Sequence, residues 1–206
     1  MIPLLLGVQY GLLLSILVGP LLIALLQASV EQGVRGGIAV GLGIWFSDLV
    51  FIVSVYTFFS AWTDLVERSW FTITVGGIGS LTLIIYGLLS IQKQPLTLQS
   101  NSLQCTYRSL WMKGFILNTV NPFTVFFWLF VMATVVLQNH YHLVDSIAFF
   151  SGLLGTIVTT DIVKIILSKK ILDRLTSTVA QKLHKFSGGA LMIFGMVLLF
   201  RSLSTL

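Results

Sequence analysis

Long runs without a single charged residue are the feature that most constrains how this chain can fold. Residues 1–30, 69–92 and 114–144 contain no Asp, Glu, Lys or Arg. A helix needs about 20 mostly apolar residues to cross the hydrocarbon core of a bilayer. Only 9% of the 206 residues are charged, against about 25% in soluble domains. These runs exclude a soluble globular protein and predict an all-α integral membrane protein.

Six apolar segments long enough for membrane spans follow one another, with polar residues between them. We expect the spans at residues 1–30, 36–63, 69–92, 114–144, from Asp145 to the basic pair Lys169–Lys170, and 186–200. The stretch 93–113 is the most polar part of the chain and predicts a cytoplasmic linker. It divides a single membrane domain, residues 1–206, into two three-helix halves, 1–92 and 114–206. A four-residue apolar repeat from Ile171 to Leu183 predicts a basic amphipathic helix on the membrane surface.

The two halves repeat three features in the same order. Each has an X-Pro step in its first span, an acid in its second and a glycine pair in its third. The pairs are Gly19–Pro20 and Asn121–Pro122, Asp48 and Asp161, and Gly76–Gly77 and Gly188–Gly189. Because each half has an odd number of spans, the second copy enters the membrane inverted, which is typical of transporters. The spacing differs, since Pro20 precedes Asp48 by 28 residues and Pro122 precedes Asp161 by 39.

The distribution of Lys and Arg predicts the orientation, since cytoplasmic loops carry the excess of basic residues. With both termini outside, nine basic residues lie in inner segments and only Arg68 and Arg201 in outer ones. The nine are Arg35, Lys93, Arg108, Lys113, Lys169, Lys170, Arg174, Lys182 and Lys185. This topology explains the net charge of +5, so nucleic-acid binding is not expected.

Two prolines interrupt predicted spans. A proline inside a helix has no N–H and clashes with the carbonyl four residues back, which frees the carbonyls of Ile16 and Asn118. Such groups are tolerated in a membrane where they line a hydrated cavity, and a broken helix also presents an N-terminus that suits a carboxylate. The alternative is a simple kink relieved by packing, which is more plausible for Pro20 than for Pro122 with its polar neighbours Asn118 and Asn121.

Three ionisable residues lie within predicted spans. Asp48 is about twelve residues from either end of its span, so it must be neutral, paired or in water. Charged groups at this depth mark ion pathways or proton relays, although a protonated Asp bonded to a neighbouring helix is the alternative. Asp161 and Lys164 share a helix face at i, i+3 and can form an ion pair. Lys164 could instead extend to the membrane surface.

The ordered set of these motifs resembles the LysE-type (LysE/RhtB) amino-acid exporter family. The set comprises Gly19–Pro20, Gly33, Gly36–Gly37, Gly41, Ser47–Asp48, Lys113-Gly114-Phe115, Asn118 to Pro122 and Phe126-Phe127-Trp128. The resemblance covers both halves and implies a six-helix secondary transporter of the inner membrane that exports amino acids or related small metabolites against an inward flow of protons. The positions that match the family are Gly19, Pro20, Asp48, Asn121 and Pro122.

Our first hypothesis is therefore a proton antiporter whose pathway contains Gly19, Pro20, Asp48, Asn118, Asn121, Pro122, Asp161 and Lys164. Asp48 would respond to protons, and Asn118 and Asn121 would coordinate the substrate. The alternatives are a divalent cation exporter that uses Asp48 and Asp161, and a scaffold or assembly factor that transports nothing. Neither an enzyme, a cofactor nor a metal centre is expected. The expected partners are an amino-acid-like molecule, protons and the lipid bilayer, and a homo-oligomer is possible.

Overall fold

A computed structural model describes residues 2–16, 19–61, 69–92, 105–137, 139–174 and 177–203. These residues form helices and turns, without any strand among them. The helices are α1 (Ile2–Ile16), α2 (Pro20–Glu31), α3 (Gly33–Ala61), α4 (Ser69–Gln92), α5 (Tyr107–Thr119), α6 (Pro122–Val131), α7 (Leu143–Ile166), α8 (Ser168–Arg174) and α9 (Ser177–Leu203). A π-helical segment, Met132–Leu137, follows α6 directly.

Two described helices are long and apolar enough to cross a membrane, namely α3 over Gly33–Phe58 and α7 over Leu143–Ile166. Helices α5 and α6 pass the same test only when taken together, with a bend of 62° between them. Shorter apolar stretches of 10–17 residues lie in α1, α2, α4 and α9. Large apolar side chains such as Leu13 and Ile78 are more than 60% exposed, which suits a surface in contact with lipid. The all-helical membrane fold that we predicted is therefore present, whereas the number of crossings stays a prediction.

Both X-Pro steps lie at the start of a helix. Pro20 and Pro122 are the first residues of α2 and α6, where the missing N–H costs nothing because it has no partner inside the helix. The expectation of a freed carbonyl at Asn118 was wrong, since this carbonyl accepts the N–H of Asn121 at 3.3 Å. The tight turn between the two helices supplies that donor. Residues 17 and 18, which follow Ile16, lie outside the described residues.

The start of the fourth predicted span differs from the boundary expected. Helix α5 begins at Tyr107, inside the predicted linker 93–113, and Thr106 caps it by accepting the N–H of Ser109. The charge pattern placed this boundary too late in the chain, because Arg108 and Lys113 are exposed and do not interrupt the helix. Residues 93–104 of the predicted linker lie outside the described part.

The expected surface helix around residues 171–183 does not form one separate element, so this prediction was wrong. Helix α8 ends at Arg174, and α9 begins at Ser177 and continues through the sixth apolar run to Leu203. A repeat of apolar residues every four positions is compatible with the polar first turns of a long helix as well as with a surface helix.

Helices pack most extensively in the pairs α1–α7, α3–α5 and α4–α9. Glycines allow the backbones to come close, as small residues do between membrane helices. A Cβ atom on Gly114 of α5 would overlap the carbonyl of Val40 in α3, and one on Gly7 of α1 would overlap the carbonyl of Phe149 in α7. Side-chain size at these positions therefore decides whether the helices can pair.

One hydroxyl pair joins each of the first two helix pairs. Ser15 of α1 and Thr160 of α7 are 2.7 Å apart, and Ser47 of α3 and Thr119 of α5 are 2.9 Å apart. Thr160 and Ser47 are the residues directly before Asp161 and Asp48. The two pairs therefore fix α7 and α3 next to the positions that carry the acids.

A matched pair of glycine substitutions tests this packing. Gly114→Ala should lower the stability of the protein by about 1–3 kcal/mol, because the new methyl group overlaps backbone that cannot move freely. Gly155→Ala in α7, where a Cβ would meet no atom within 4 Å, should leave the stability unchanged or slightly raised. Thermal unfolding of both variants in detergent measures the difference. Equal midpoints would contradict the close packing of α3 and α5.

Candidate functional site

A cavity of about 150 Å³ lies between the helices. The buried apolar residues form two clusters, and side chains of both line this cavity. Leu25 and Ile44 belong to one cluster, and Phe127 and Trp128 belong to the other. Six predicted site residues also line the cavity, namely Gly19, Asp48, Asn118, Asn121, Asp161 and Lys164. A largely apolar cavity with a few convergent polar groups is the usual form of a small-molecule site.

The two predicted prolines act through the helices that they begin. Pro122 does not itself line the cavity, but Phe123 and Thr124 of the same first turn do. Pro20 begins α2, and Leu21 in the first turn of that helix lines the cavity. The structure therefore brings the start of both helices to one site.

Asp48 lies in the middle of α3 and is only 6% exposed. Two neutral donors reach its Oδ1 atom, Nδ2 of Asn118 at 2.8 Å and Nε1 of Trp128 at 3.1 Å. No donor from the described residues reaches Oδ2, and Asp48 lines the cavity. A buried carboxylate is costly unless it is paired or hydrogen-bonded, so Asp48 remains short of one partner that a cavity occupant can supply.

Asn118 is fully occupied by contacts within the protein. Its Nδ2 atom donates to the carbonyl of Ile44 at 3.2 Å as well as to Asp48, and its Oδ1 atom accepts the hydroxyl of Thr124 at 2.9 Å. The residue is 1% exposed. Both amide hydrogens of Asn118 are therefore used by Asp48 and Ile44, and its expected coordination of substrate stays a prediction.

Asn121 has the opposite character. Its Oδ1 atom caps α6 by accepting the N–H of Phe123 at 3.1 Å. Among the described residues, none accepts a hydrogen bond from its Nδ2 atom. Because Asn121 lines the cavity, this amide group can donate to a ligand.

Asp161 of α7 has both carboxylate oxygens engaged. Nζ of Lys164 lies 3.0 Å from Oδ1, and Nε1 of Trp45 in α3 lies 3.1 Å from Oδ2. The ion pair that the i, i+3 spacing suggested is therefore formed, with side chains that are 14% and 21% exposed for Asp161 and Lys164. The two acids of the cavity thus differ, since Asp48 has neutral donors and Asp161 has a cation.

Among the described residues, no side chain caps the backbone N–H groups in the first turn of α2. Its N-cap residue, Gly19, has no side chain to accept them, and the first turn contains no acidic residue. Gly19, Leu21 and Leu22 all line the cavity. Free N–H groups at a helix N-terminus favour an anion.

Three polar residues of the site were not found from the sequence. Trp45, Thr124 and Trp128 supply hydrogen bonds to Asp161, Asn118 and Asp48. A signal for the tryptophans was available, because a buried indole N–H requires an acceptor and the membrane spans contain few strong ones. The sequence could not show which acceptor each one reaches.

Metal ligation has no further support in this region. The described part of the chain contains no group of three or more His, Cys, Asp or Glu side chains that could hold a metal ion.

Comparisons with known proteins give the family. The LysE type translocator family profile matches residues 12–202. The chain belongs to the LysE type translocator family. It is therefore a multi-pass membrane transporter and not an enzyme.

One curated relative supports the same assignment. The chain is 23% identical over 194 residues to the Bacillus subtilis (strain 168) protein named "Putative amino acid efflux protein YcgF", and the match covers 90% of this chain and 89% of that protein. No solved structure matches the chain significantly.

A matched pair of asparagine substitutions tests the support of Asp48. Asn118→Ala removes one of the two donors to Asp48 and the acceptor of the Thr124 hydroxyl, so it should destabilise this transporter by roughly 1–3 kcal/mol. Asn139→Ala removes one bond to the carbonyl of Val135 near an exposed turn and should cost less than about 0.5 kcal/mol. Thermal unfolding in detergent compares them. A larger loss for Asn139→Ala would contradict the assigned role of Asn118.

Proposed function

We propose that this LysE-type transporter exports amino acids or related small metabolites in exchange for protons. The carrying observation is the buried Asp48, whose second oxygen has no donor among the described residues and which lines a cavity. The name of the Bacillus subtilis relative, which refers to amino acid efflux, supports the substrate class. A buried carboxylate facing a cavity is a group that either a proton or a substrate ammonium can neutralise.

The cavity offers complementary ends for an amino acid zwitterion. The α-ammonium group would bind Oδ2 of Asp48. The α-carboxylate would accept hydrogen bonds from the uncapped N–H groups at the start of α2 and from Nδ2 of Asn121. A cavity of about 150 Å³ holds a benzene-sized molecule, so the volume of this cavity is on the scale of a small metabolite.

Competition for Asp48 couples the two fluxes. The substrate ammonium and a proton both neutralise the same carboxylate, so they cannot occupy it together. If the cavity can switch from one side of the membrane to the other only when Asp48 is neutralised, the transporter exchanges substrate for protons. Gly19 and the X-Pro steps shape the cavity around this group, and Asn118 holds Asp48 in place.

An inverted repeat of two three-helix halves would provide the alternating access. Two observations support it. The pairing of α1 with α7 corresponds to that of α5 with α3 when the halves exchange, and each pair carries one hydroxyl contact directly before an acid. The two halves, with six crossings in all and joined by the polar stretch that precedes α5 at Tyr107, would then rock against each other around the cavity.

The transporter would lie in the plasma (inner) membrane with both termini outside. The distribution of Lys and Arg supports this orientation through the positive-inside rule. Export of an amino acid that is produced in the cytoplasm also requires a transporter in the plasma membrane.

The two other hypotheses from the sequence have less support. A divalent cation held by Asp48 and Asp161 would have to displace Lys164, which already pairs with Asp161 at 3.0 Å. A scaffold without transport activity would not require a cavity lined by Asp48, Asn121 and an uncapped helix start.

An Asp48→Asn variant tests the proton role in proteoliposomes. Vesicles with an acidic lumen, clamped at zero membrane potential, should accumulate labelled leucine through the wild type, by up to about tenfold per pH unit for one-to-one exchange. Asp48→Asn should lose this accumulation, because an amide does not release a proton.

Asp145→Asn makes the same chemical change in the first turn of α7, at a residue that does not line the cavity. This control should keep the pH-driven accumulation. If Asp48→Asn responds to the pH gradient as strongly as Asp145→Asn, the proton role of Asp48 is wrong.

A further inference from the structure

We infer that Lys164 makes this transporter selective for amino acids with uncharged side chains, by occupying the carboxylate of Asp161 that a cationic side chain would otherwise bind. This inference rests on the proposed function and adds the substrate class. It makes Lys164 a specificity-determining residue.

The first support for this inference comes from the contacts of Asp161. Lys164 and Trp45 engage both of its oxygens, at 3.0 and 3.1 Å, so a second ammonium group would have to share the carboxylate with a cation that is already paired to it. Lys164 belongs to the same helix, one turn away, and therefore competes as an intramolecular partner at high effective concentration. A substrate ammonium in free solution has to displace it.

Displacing Lys164 from Asp161 would also cost free energy. The ammonium group of Lys164 would lose its carboxylate in a cavity lined mostly by apolar side chains, among them Leu14, Ile44 and Ile157. An unpaired charge in such surroundings is strongly unfavourable. The transporter therefore rejects a cationic side chain through a built-in repulsive element, which is a common basis of specificity.

Asp48 differs from Asp161 in the charge of its hydrogen-bond donors. Its two donors, Asn118 and Trp128, are neutral and both reach Oδ1. No cation of the described residues competes for it, so it can bind the α-ammonium that every amino acid carries. Asp161 lines the same cavity and would become available to a second ammonium group only if Lys164 were absent.

Norleucine and lysine are matched probes for this inference, because their chains have the same length and lysine adds the ε-ammonium group. Both are measured as labelled substrates in proteoliposomes. The wild type should prefer norleucine. Lys164→Gln should raise the ratio of lysine to norleucine transport by about ten- to a hundredfold, the range expected for a hydrogen bond to a charged group. Lys164→Met should act in the same direction.

Two control variants separate the cause. Lys164→Arg keeps a cation beside Asp161 and should keep the low ratio of the wild type. The double variant Asp161→Asn/Lys164→Gln removes both charges and should show no gain for lysine. An equal gain in the single and the double variants would show relief of repulsion without use of Asp161, and would overturn the inference.

The wild type alone also decides between the two levels of the proposal. Transport of norleucine and lysine at equal rates would overturn the role of Lys164 and leave the exporter function intact. Failure to transport either of them, or any other amino acid, would overturn the proposed function itself. The Lys164 variants are compared only as monodisperse protein, and an unchanged ratio in the folded variants contradicts the inference.

Discussion

A carboxylate held at the depth of the membrane interior is the constraint on which the rest of this structure depends. An ionisable side chain there costs at least a few kcal/mol unless the protein surrounds it with partners or water. Asp48 receives two hydrogen bonds at a single oxygen, from Asn118 at the end of α5 and Trp128 in α6. The break at Pro122 bends these helices by 62°, so residues on both sides of the break can reach the same group.

The two acids of the cavity occupy related places in the fold but have different surroundings. Each follows a hydroxyl residue that bonds to a neighbouring helix, Ser47 to Thr119 and Thr160 to Ser15. Their partners then differ, since the donors to Asp48 are neutral and Lys164 forms an ion pair with Asp161. On the proposed repeat, the two acids would therefore stand at corresponding positions and carry separate tasks.

The sequence predicted those features that depend on local chemistry. Charge-free runs indicated a helical membrane protein, proline placed the helix breaks, and an acid deep in a span drew attention to position 48. It could not predict contacts between distant residues, such as Trp128 with Asp48 or Trp45 with Asp161. Helices that are apolar on every face carry little periodicity, so they do not show which face meets which neighbour. The start of α5 at Tyr107 was missed because exposed charges within a helix resemble a linker.

The most direct test of the account is the access of water and substrate to the cavity, read from one introduced thiol. In a Cys105→Ser background, Ser15→Cys places a thiol in the cavity lining, and Ser146→Cys places one at a 2% exposed position outside it. A small water-soluble thiol reagent should modify position 15 but not 146. Norleucine should slow the reaction, and Asp48→Asn should abolish that protection. A thiol at position 15 that stays unreactive from both sides of the membrane, or protection that persists in Asp48→Asn, would contradict the account.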